Sequence, residues 1–418
     1  MTQLLHVLKN HIEDLLTFLK WVCLAIIVGC IVGFIGSLFH HAIEYVTLFR
    51  EKHWYTILLL PLGGMLIVFL YHIGHMADDK GTNLVLLSIR EADPISFKTA
   101  PLIFISTVIT HLCGGSSGRE GAALQLGGSL SYQIGKLFRL DEKDLHIMTM
   151  CGMSAGFAAL FGTPLAAAIF AMEVISVGIM HYAALVPCTL AAIIGYGISG
   201  KFHISPTSFH LTNIPTLSVY ITFKVILLAL LGALLSMIFC QSLHTSSKLY
   251  KKCFPNPYVR IITGGCLILF LTLICGTTDY LGAGMPIITA ALEDQIVPWA
   301  FLLKLIFTAI TLGAGFKGGE IVPAFFVGAT FGHTVGGLLG LSPSFGASIG
   351  LIALFCGVTN CPITTFILSL ELFGTQGSLF FMLACAVSYM TSGYQGLYSK
   401  QKIMYSKVKP EFINQFTE

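Results

Sequence analysis

The chain has 418 residues, 55% of them hydrophobic and only 10% charged, with a formal net charge of +3. A soluble surface for a protein of this size needs about 25% charged residues. The composition therefore excludes an ordinary soluble globule, points to a lipid-facing exterior, and gives no reason to expect a nucleic-acid partner.

In chain order, residues 1–20 carry the stretch LLHVLKNHIEDLLTF at 4–18, which reads as an amphipathic cytoplasmic helix. Nearly charge-free runs follow at 21–38, 58–71, 221–240, 261–275 and 380–390. A spanning helix needs roughly 20 apolar residues, and several of these qualify. Other apolar runs are shorter and interrupted by Gly or Pro. Within a bilayer, such broken helices persist only where protein or a water-filled cavity satisfies the freed backbone, and transporters use them in that way. No small-residue cleavage site follows the first run promptly, so a cleaved signal peptide is not expected. The twelve cysteines form no CxxC pair and no metal-ligand spacing. They read as small buried hydrophobes; neither a metal nor a cofactor is expected. Lys248, Lys251, Lys252 and Arg260 cluster in one loop, and Lys400, Lys402, Lys407 and Lys409 near the C-terminus. The positive-inside rule assigns both clusters to the cytoplasm.

Self-similarity is the strongest organising signal. Residues 107–128, TVITHLCGGSSGREGAALQLGG, align without a gap to 308–329, TAITLGAGFKGGEIVPAFFVGA. Thr107, Ile109, Thr110, Gly114, Gly118, Ala123 and Gly127 recur as Thr308, Ile310, Thr311, Gly315, Gly319, Ala324 and Gly328. The same register pairs Gly81 with Gly282 and Asp93 with Asp294. Further on, Pro164 and Glu173 are matched by Pro362 and Glu371. The expected division is a cytoplasmic helix over 1–20, a first repeat over 21–210, a second over 211–400 and a cytoplasmic tail over 401–418.

Each half carries Gly-rich breaks that open apolar helices: GTNLV at 81–85 and GREGA at 118–122, then GAGMP at 282–286 and GGEIVP at 318–323. A Gly-rich turn at a helix start exposes free N–H groups and the positive end of the helix dipole, a site suited to anions. One such turn signals no more than close packing; four in register suggest a dehydrated anion held by backbone amides. Glu120 and Glu320 lie inside these breaks. An ionisable residue within the membrane is a functional candidate by default; the bland alternative for Glu120 is an ion pair with Arg119. A carboxylate at an anion-binding helix terminus can occupy the anion's place when ionised and leave it when protonated, which couples proton movement to anion movement.

GREG at 118–121, GMSAGFAALFGTPLAAAIFAME at 152–173 and GGEIVP at 318–323 together resemble the CLC family of anion channels and transporters, over residues 20–400. The resemblance implies an all-α polytopic membrane fold with two inverted-topology repeats of tilted, partly broken helices. It also implies a homodimer with one pathway per subunit. The family's gating glutamate maps onto Glu120 and its pore-facing tyrosine onto Tyr398. The implied anion-binding set is Gly81, Thr82, Asn83 and Leu84, with Gly118, Arg119, Gly121 and Ala122, and Glu320, Ile321, Val322 and Tyr398. Chloride members carry GSGIP at the first break and GxFxP at the second-half break; Asn83 and Glu320 are instead similar to the fluoride/proton antiporter branch. Val174 stands where chloride/proton exchangers place an internal glutamate. Thr82 retains a hydroxyl at the chloride branch's serine position, and Val322 stands where fluoride members often have threonine. Glu173 and Glu371 read as structural helix-end residues.

The expected function is a halide/proton antiporter exporting fluoride, with halide and protons as its partners, in the plasma membrane and with cytoplasmic termini. Backbone N–H groups, the Asn83 amide and the Thr82 hydroxyl would replace fluoride's hydration shell, and Glu320 beside an anion would be protonated. The alternatives are a chloride channel or chloride/proton exchanger, and, more distantly, an intramembrane enzyme. For the enzyme, the G-x-S-x-G strings at 114–118 and 152–156 would need a strand-to-helix elbow with His and Asp partners, and His111 and His181 are not placed as evident bases.

Overall fold

The computed structural model describes residues 2–77, 79–293 and 295–417. Asp294, the expected repeat mate of Asp93, lies outside the described residues. Eight α-helices precede the segment 202–218 and eight follow it. The first set is α1 (Thr2–Lys52), α2 (Leu60–Ile73), α3 (Thr82–Glu91), α4 (Thr99–Leu112), α5 (Glu120–Leu137), α6 (Glu142–Phe161), α7 (Pro164–Glu173) and α8 (Leu185–Lys201). The second is α9 (Val219–Cys253), α10 (Pro257–Cys275), α11 (Met285–Glu293), α12 (Ala300–Ala314), α13 (Ile321–Leu338), α14 (Pro343–Thr359), α15 (Pro362–Phe373) and α16 (Ser378–Thr391). In both sets the third and seventh helices are the shortest. The opening helix of each is the longest, at 51 and 35 residues.

Among the described residues, seven helical segments are long and apolar enough to cross a bilayer. Large side chains such as Leu273, Ile274 and Phe270 stand exposed on their outer faces, as a hydrocarbon-facing surface requires. Helices α3, α7 and α11 have only 10, 10 and 9 residues. At 1.5 Å per residue each reaches about halfway through a ~30 Å hydrocarbon layer, so their ends fall inside the protein.

The tightest packing is α5 on α6 and α13 on α14, and it is made by glycine. A Cβ on Gly127 would strike the Gly152 carbonyl, and in the second half a Cβ on Gly328 would lie 2.8 Å from the Gly350 carbonyl oxygen. Gly127 and Gly328 are repeat-related, so both halves use the same small-residue contact to bring backbones together.

Two segments differ from the sequence expectation. Residues 2–20 are not a separate surface helix: α1 runs unbroken into the first span, because no Gly or Pro interrupts the chain between Phe18 and Trp21. The tail forms strands β2 (Lys402–Tyr405) and β3 (Phe412–Phe416), paired antiparallel, with β2 also parallel to the two-residue β1 (Ser176–Val177). Among the described residues, the remaining regular structure is helical.

Candidate functional site

The site is built where equivalent points of the two halves touch. The Gly118 N–H donates to the Gly319 carbonyl at 2.7 Å, and the Gly319 N–H donates back to the Gly118 carbonyl at 2.7 Å. Since these residues hold the same place in each repeat, a local two-fold axis passes between them. Side chains do not fit here: a Cβ on Gly319 would lie 2.6 Å from the Gly121 nitrogen. The bridge sets the first turns of α5 and α13 side by side, each with N–H groups that have no intrahelical acceptor.

The Glu120 carboxylate lies across these two helix starts. It is almost fully buried; its Oε2 accepts the Arg119 N–H at 2.9 Å, and the Val322 amide also faces it. Arg119 Nε is 3.7 Å from Glu120 Oε1, too long for a good hydrogen bond. The arginine's side chain is therefore a loose neighbour, while its backbone amide is the close one. Glu120 occupies amide positions that an anion could otherwise take.

On the other side of Glu120, three segments converge on Gly121. A Cβ there would lie 3.0 Å from Glu320 Oε2 and 3.2 Å from Thr82 Oγ1. Thr82 opens α3 and donates its hydroxyl to the Gly121 carbonyl at 3.3 Å. Glu320 is the N-cap of α13, and among the described residues its Oε2 has no hydrogen-bond partner. The hydroxyl of Tyr398 is likewise buried and unpartnered, within electrostatic reach of Glu320 and Glu120. Asn83 has its Oδ1 fixed by the Lys400 N–H at 3.0 Å, which leaves its amide nitrogen without a partner among the described residues. The Leu84 N–H is engaged by the Gly81 carbonyl at 3.0 Å, so it is not a free donor. Gly81 itself sits at φ +60° as the N-cap of α3, a conformation glycine adopts without strain. Ala122, Ile321 and Val322 are buried in the same two first turns.

Two cavities approach this centre and share no lining residue. One, of about 460 Å³, is lined by His40, Glu44, Arg50, His111, Arg119 and the 281–287 turn. The other, of about 360 Å³, is lined by Asp79, Lys80, Asn83, His244, Lys251, Glu320, Leu397 and Lys400. Arg119 and Glu320, which reach one cavity each, are next-door neighbours of the Gly118–Gly319 bridge. Glu120 lies in the plug between the cavities.

A profile of the voltage-gated chloride channel family, the CLC proteins, matches residues 63–393. The chain belongs to the CLC family. It is 35% identical to a chloride/fluoride channel protein of Pseudomonas syringae pv. tomato over 94% of this chain and 89% of that one. It is 24% identical to the H(+)/Cl(-) exchange transporter ClcA of Vibrio parahaemolyticus over 88% and 86%. The solved structure of a CLC-type fluoride/proton antiporter superposes with a TM-score of 0.89 at 32% identity, covering 92% of this chain and 98% of that one. A slow cyanobacterial Cl-/H+ antiporter, at 20% identity and a TM-score of 0.77 over 89% and 94%, shares the CLC fold.

The geometry also departs from the sequence reading. The third break, 282–286, does not join the centre; it faces the Arg119 cavity, and its Gly282 N–H is held by the Gly115 carbonyl at 3.1 Å. Both G-x-S-x-G serines bond structural partners: Ser116 Oγ meets Thr308 Oγ1 at 3.1 Å, and Ser154 Oγ donates to the Cys151 and Cys188 carbonyls. Sequence reasoning missed a buried ionic group beside the site. Lys317 Nζ reaches Asp79 Oδ2 at 2.6 Å, and Gln125 Nε2 donates to Asp79 Oδ1 at 3.1 Å. Two charges placed just before Gly-rich breaks were the signal available for finding it.

Proposed function

We propose that this chain is a secondary-active antiporter that exports fluoride in exchange for protons, with Glu120 as the group through which both ions pass. The observation that carries the reading is the Glu120 carboxylate lying over the free amides of two helix starts, between two cavities that do not join. While ionised, the carboxylate competes with a halide for those amides. Once protonated, it loses its charge-assisted hydrogen bonds and can give way. Proton and anion then exclude one another at one place, which is what exchange requires. The similarity to a fluoride/proton antiporter and to a chloride/fluoride channel protein supports fluoride as the halide.

On this reading Glu120 exchanges protons with the Arg119 cavity. Glu320, Tyr398 and Asn83, with the Gly81, Thr82, Gly121 and Ala122 backbone, form the opposite side of the anion site, and Glu320 is protonated when an anion is beside it. Chloride is the competing substrate, and its main support is the Thr82 hydroxyl. That hydroxyl already donates to the Gly121 carbonyl, which weakens this support for chloride. We further propose a homodimer in the plasma membrane with cytoplasmic termini, from the family resemblance and the lysine clusters.

The test is flux from proteoliposomes. Wild-type protein should drive protons uphill under a fluoride gradient, and Glu120→Gln should abolish proton movement while leaving passive halide flux. Uphill proton transport by Glu120→Gln would refute the assignment.

A further inference from the structure

Asp79 is the meeting point of three segments that otherwise approach the anion site independently. Its carboxylate takes Lys317 on Oδ2 at 2.6 Å and Gln125 on Oδ1 at 3.1 Å. Its side chain is 1% exposed, against 21% for that of Lys317. Lys317 also stacks its ammonium over Tyr71, 4.3 Å from the ring centre, which holds the lysine from its other side. The neighbouring Lys80 is drawn the opposite way, to Asp93 at 2.8 Å. Each arm lies within one or two turns of a group that lines the site. Asp79 is three residues before Thr82, Lys317 three before Glu320, and Gln125 five after Glu120 on the same helix. The tie therefore joins the first half's α3 and α5 starts to the second half's α13 start.

We propose that the Asp79–Lys317–Gln125 tie is a positioning device that sets the width of the anion site, and so its discrimination between small and large halides. Replacing a buried ion pair by apolar groups is often neutral or stabilising, so stability alone does not account for a buried carboxylate paired with a largely covered ammonium here. What the pair supplies is a fixed separation between two backbone segments from different halves. Width matters most for an anion held by short donors, because a small displacement of a positioning group changes rates by large factors. The inference rests on the antiporter reading of the same site.

The experiment measures fluoride efflux, chloride efflux and proton uptake from proteoliposomes for Asp79→Asn, Lys317→Met, the neutral double variant, and the reversed pair D79K/K317D. Gln125 can turn its amide to accept from a lysine at position 79, so the reversed pair preserves all three arms. Each single variant is expected to lower fluoride turnover at least about tenfold and to shift the fluoride-to-chloride ratio toward chloride about fivefold or more. The reversed pair should return both quantities to within about threefold of wild type, while the neutral double should not. Variants with unchanged turnover and ratio, or a neutral double that recovers as well as the reversed pair, would overturn the tie. If neither single variant yields monodisperse protein, Gln125→Leu, which keeps the ion pair, carries the test, and an unchanged ratio there is decisive against it. A wild type that moved no halide would remove the antiporter reading and the tie together; a transporting wild type beside indifferent variants removes the tie alone.

Discussion

The carboxylate of Glu173, at the end of α7, closes on Thr364 in the first turn of α15: its Oε2 accepts the Thr364 N–H at 2.8 Å and the Thr364 hydroxyl at 2.6 Å. Glu173 Oε1 takes the Ile363 N–H at 3.1 Å. The arrangement is reciprocated, since Glu371 of α15 accepts the N–H groups of Leu165 and Ala166 in α7 at 3.0 and 2.9 Å. Each half thus supplies the N-terminal cap of a helix in the other. The helix dipole favours a carboxylate at that end, and the caps satisfy donors that Pro-led helices leave open.

Removing either cap should reduce stability and spare transport. Glu173→Ala and Glu371→Ala are each expected to cost about 1–2 kcal/mol, read as a lower melting temperature of the purified protein. Glutamine keeps one acceptor oxygen and should cost less. Fluoride and proton flux per folded protein should stay near wild type, because neither carboxylate belongs to the Glu120 centre. A stable Glu173→Ala protein with lost proton transport would show that the cap assignment is incomplete.

Two substitutions distinguish a neutral from an ionised Glu320 beside Gly121. If it donates a hydrogen bond as a neutral acid, Glu320→Gln retains the donor and should transport fluoride within a few-fold of wild type. Glu320→Ala removes a hydrogen bond to a charged partner, worth roughly 1.5–3 kcal/mol, and should slow fluoride efflux at least about tenfold. Equal loss in both variants would argue for an ionised Glu320.

Much of this centre was legible in the sequence because it is repetitive. A gapless register that carries Gly118 onto Gly319 describes the same two-fold relation that the reciprocal hydrogen bonds display. Gly followed by a carboxylate inside an apolar segment marks a helix start that must be satisfied within the protein. The illegible parts break that pattern. Asp79, Gln125 and Lys317 are joined across 238 positions with no repeat relation, so nothing periodic announces them. The 282–286 turn has the composition of an anion site, yet it is carried away from the centre by its bond to Gly115. The tail's strands hide in a short, polar segment, and their pairing with Ser176 and Val177 depends on where α7 ends.

The tail offers a pH-dependent measurement. Lys407 is half-buried and donates to Asn360 Oδ1 and to Ser392 Oγ, and burial lowers its ammonium to about 8. In the unfolded chain it titrates near 10.4. Between these values the unfolded state binds the proton and the folded state does not, so docking of the hairpin should strengthen as pH rises from about 8 to 10 and level off outside that window. Amide protection in Phe412–Phe416, taken relative to the base-catalysed intrinsic exchange rate at each pH, should rise over the same interval. Lys407→Met should flatten the profile; an unchanged slope in that variant would assign the effect to another group.

The glycine contacts predict opposite outcomes for the same substitution on one helix. On α13, a Cβ at Gly328 would lie 2.8 Å from both the Gly350 carbonyl oxygen and the Leu351 Cα, and 3.1 Å from the Leu354 Cβ. Two of those atoms are backbone of a buried neighbouring helix, so they can withdraw only by moving α14. Gly328→Ala should therefore destabilise by about 1–3 kcal/mol, as overpacking does. At Gly337, the next-to-last residue of α13, a Cβ meets nothing within 4 Å. Gly337→Ala should be neutral or stabilising by up to about 1 kcal/mol, because alanine loses less backbone entropy in a helix. Melting temperatures of the two variants, measured side by side in the same detergent, should move in opposite directions or leave Gly337→Ala at the wild-type value. A Gly328→Ala protein as stable as wild type would mean that α13 and α14 do not approach this closely.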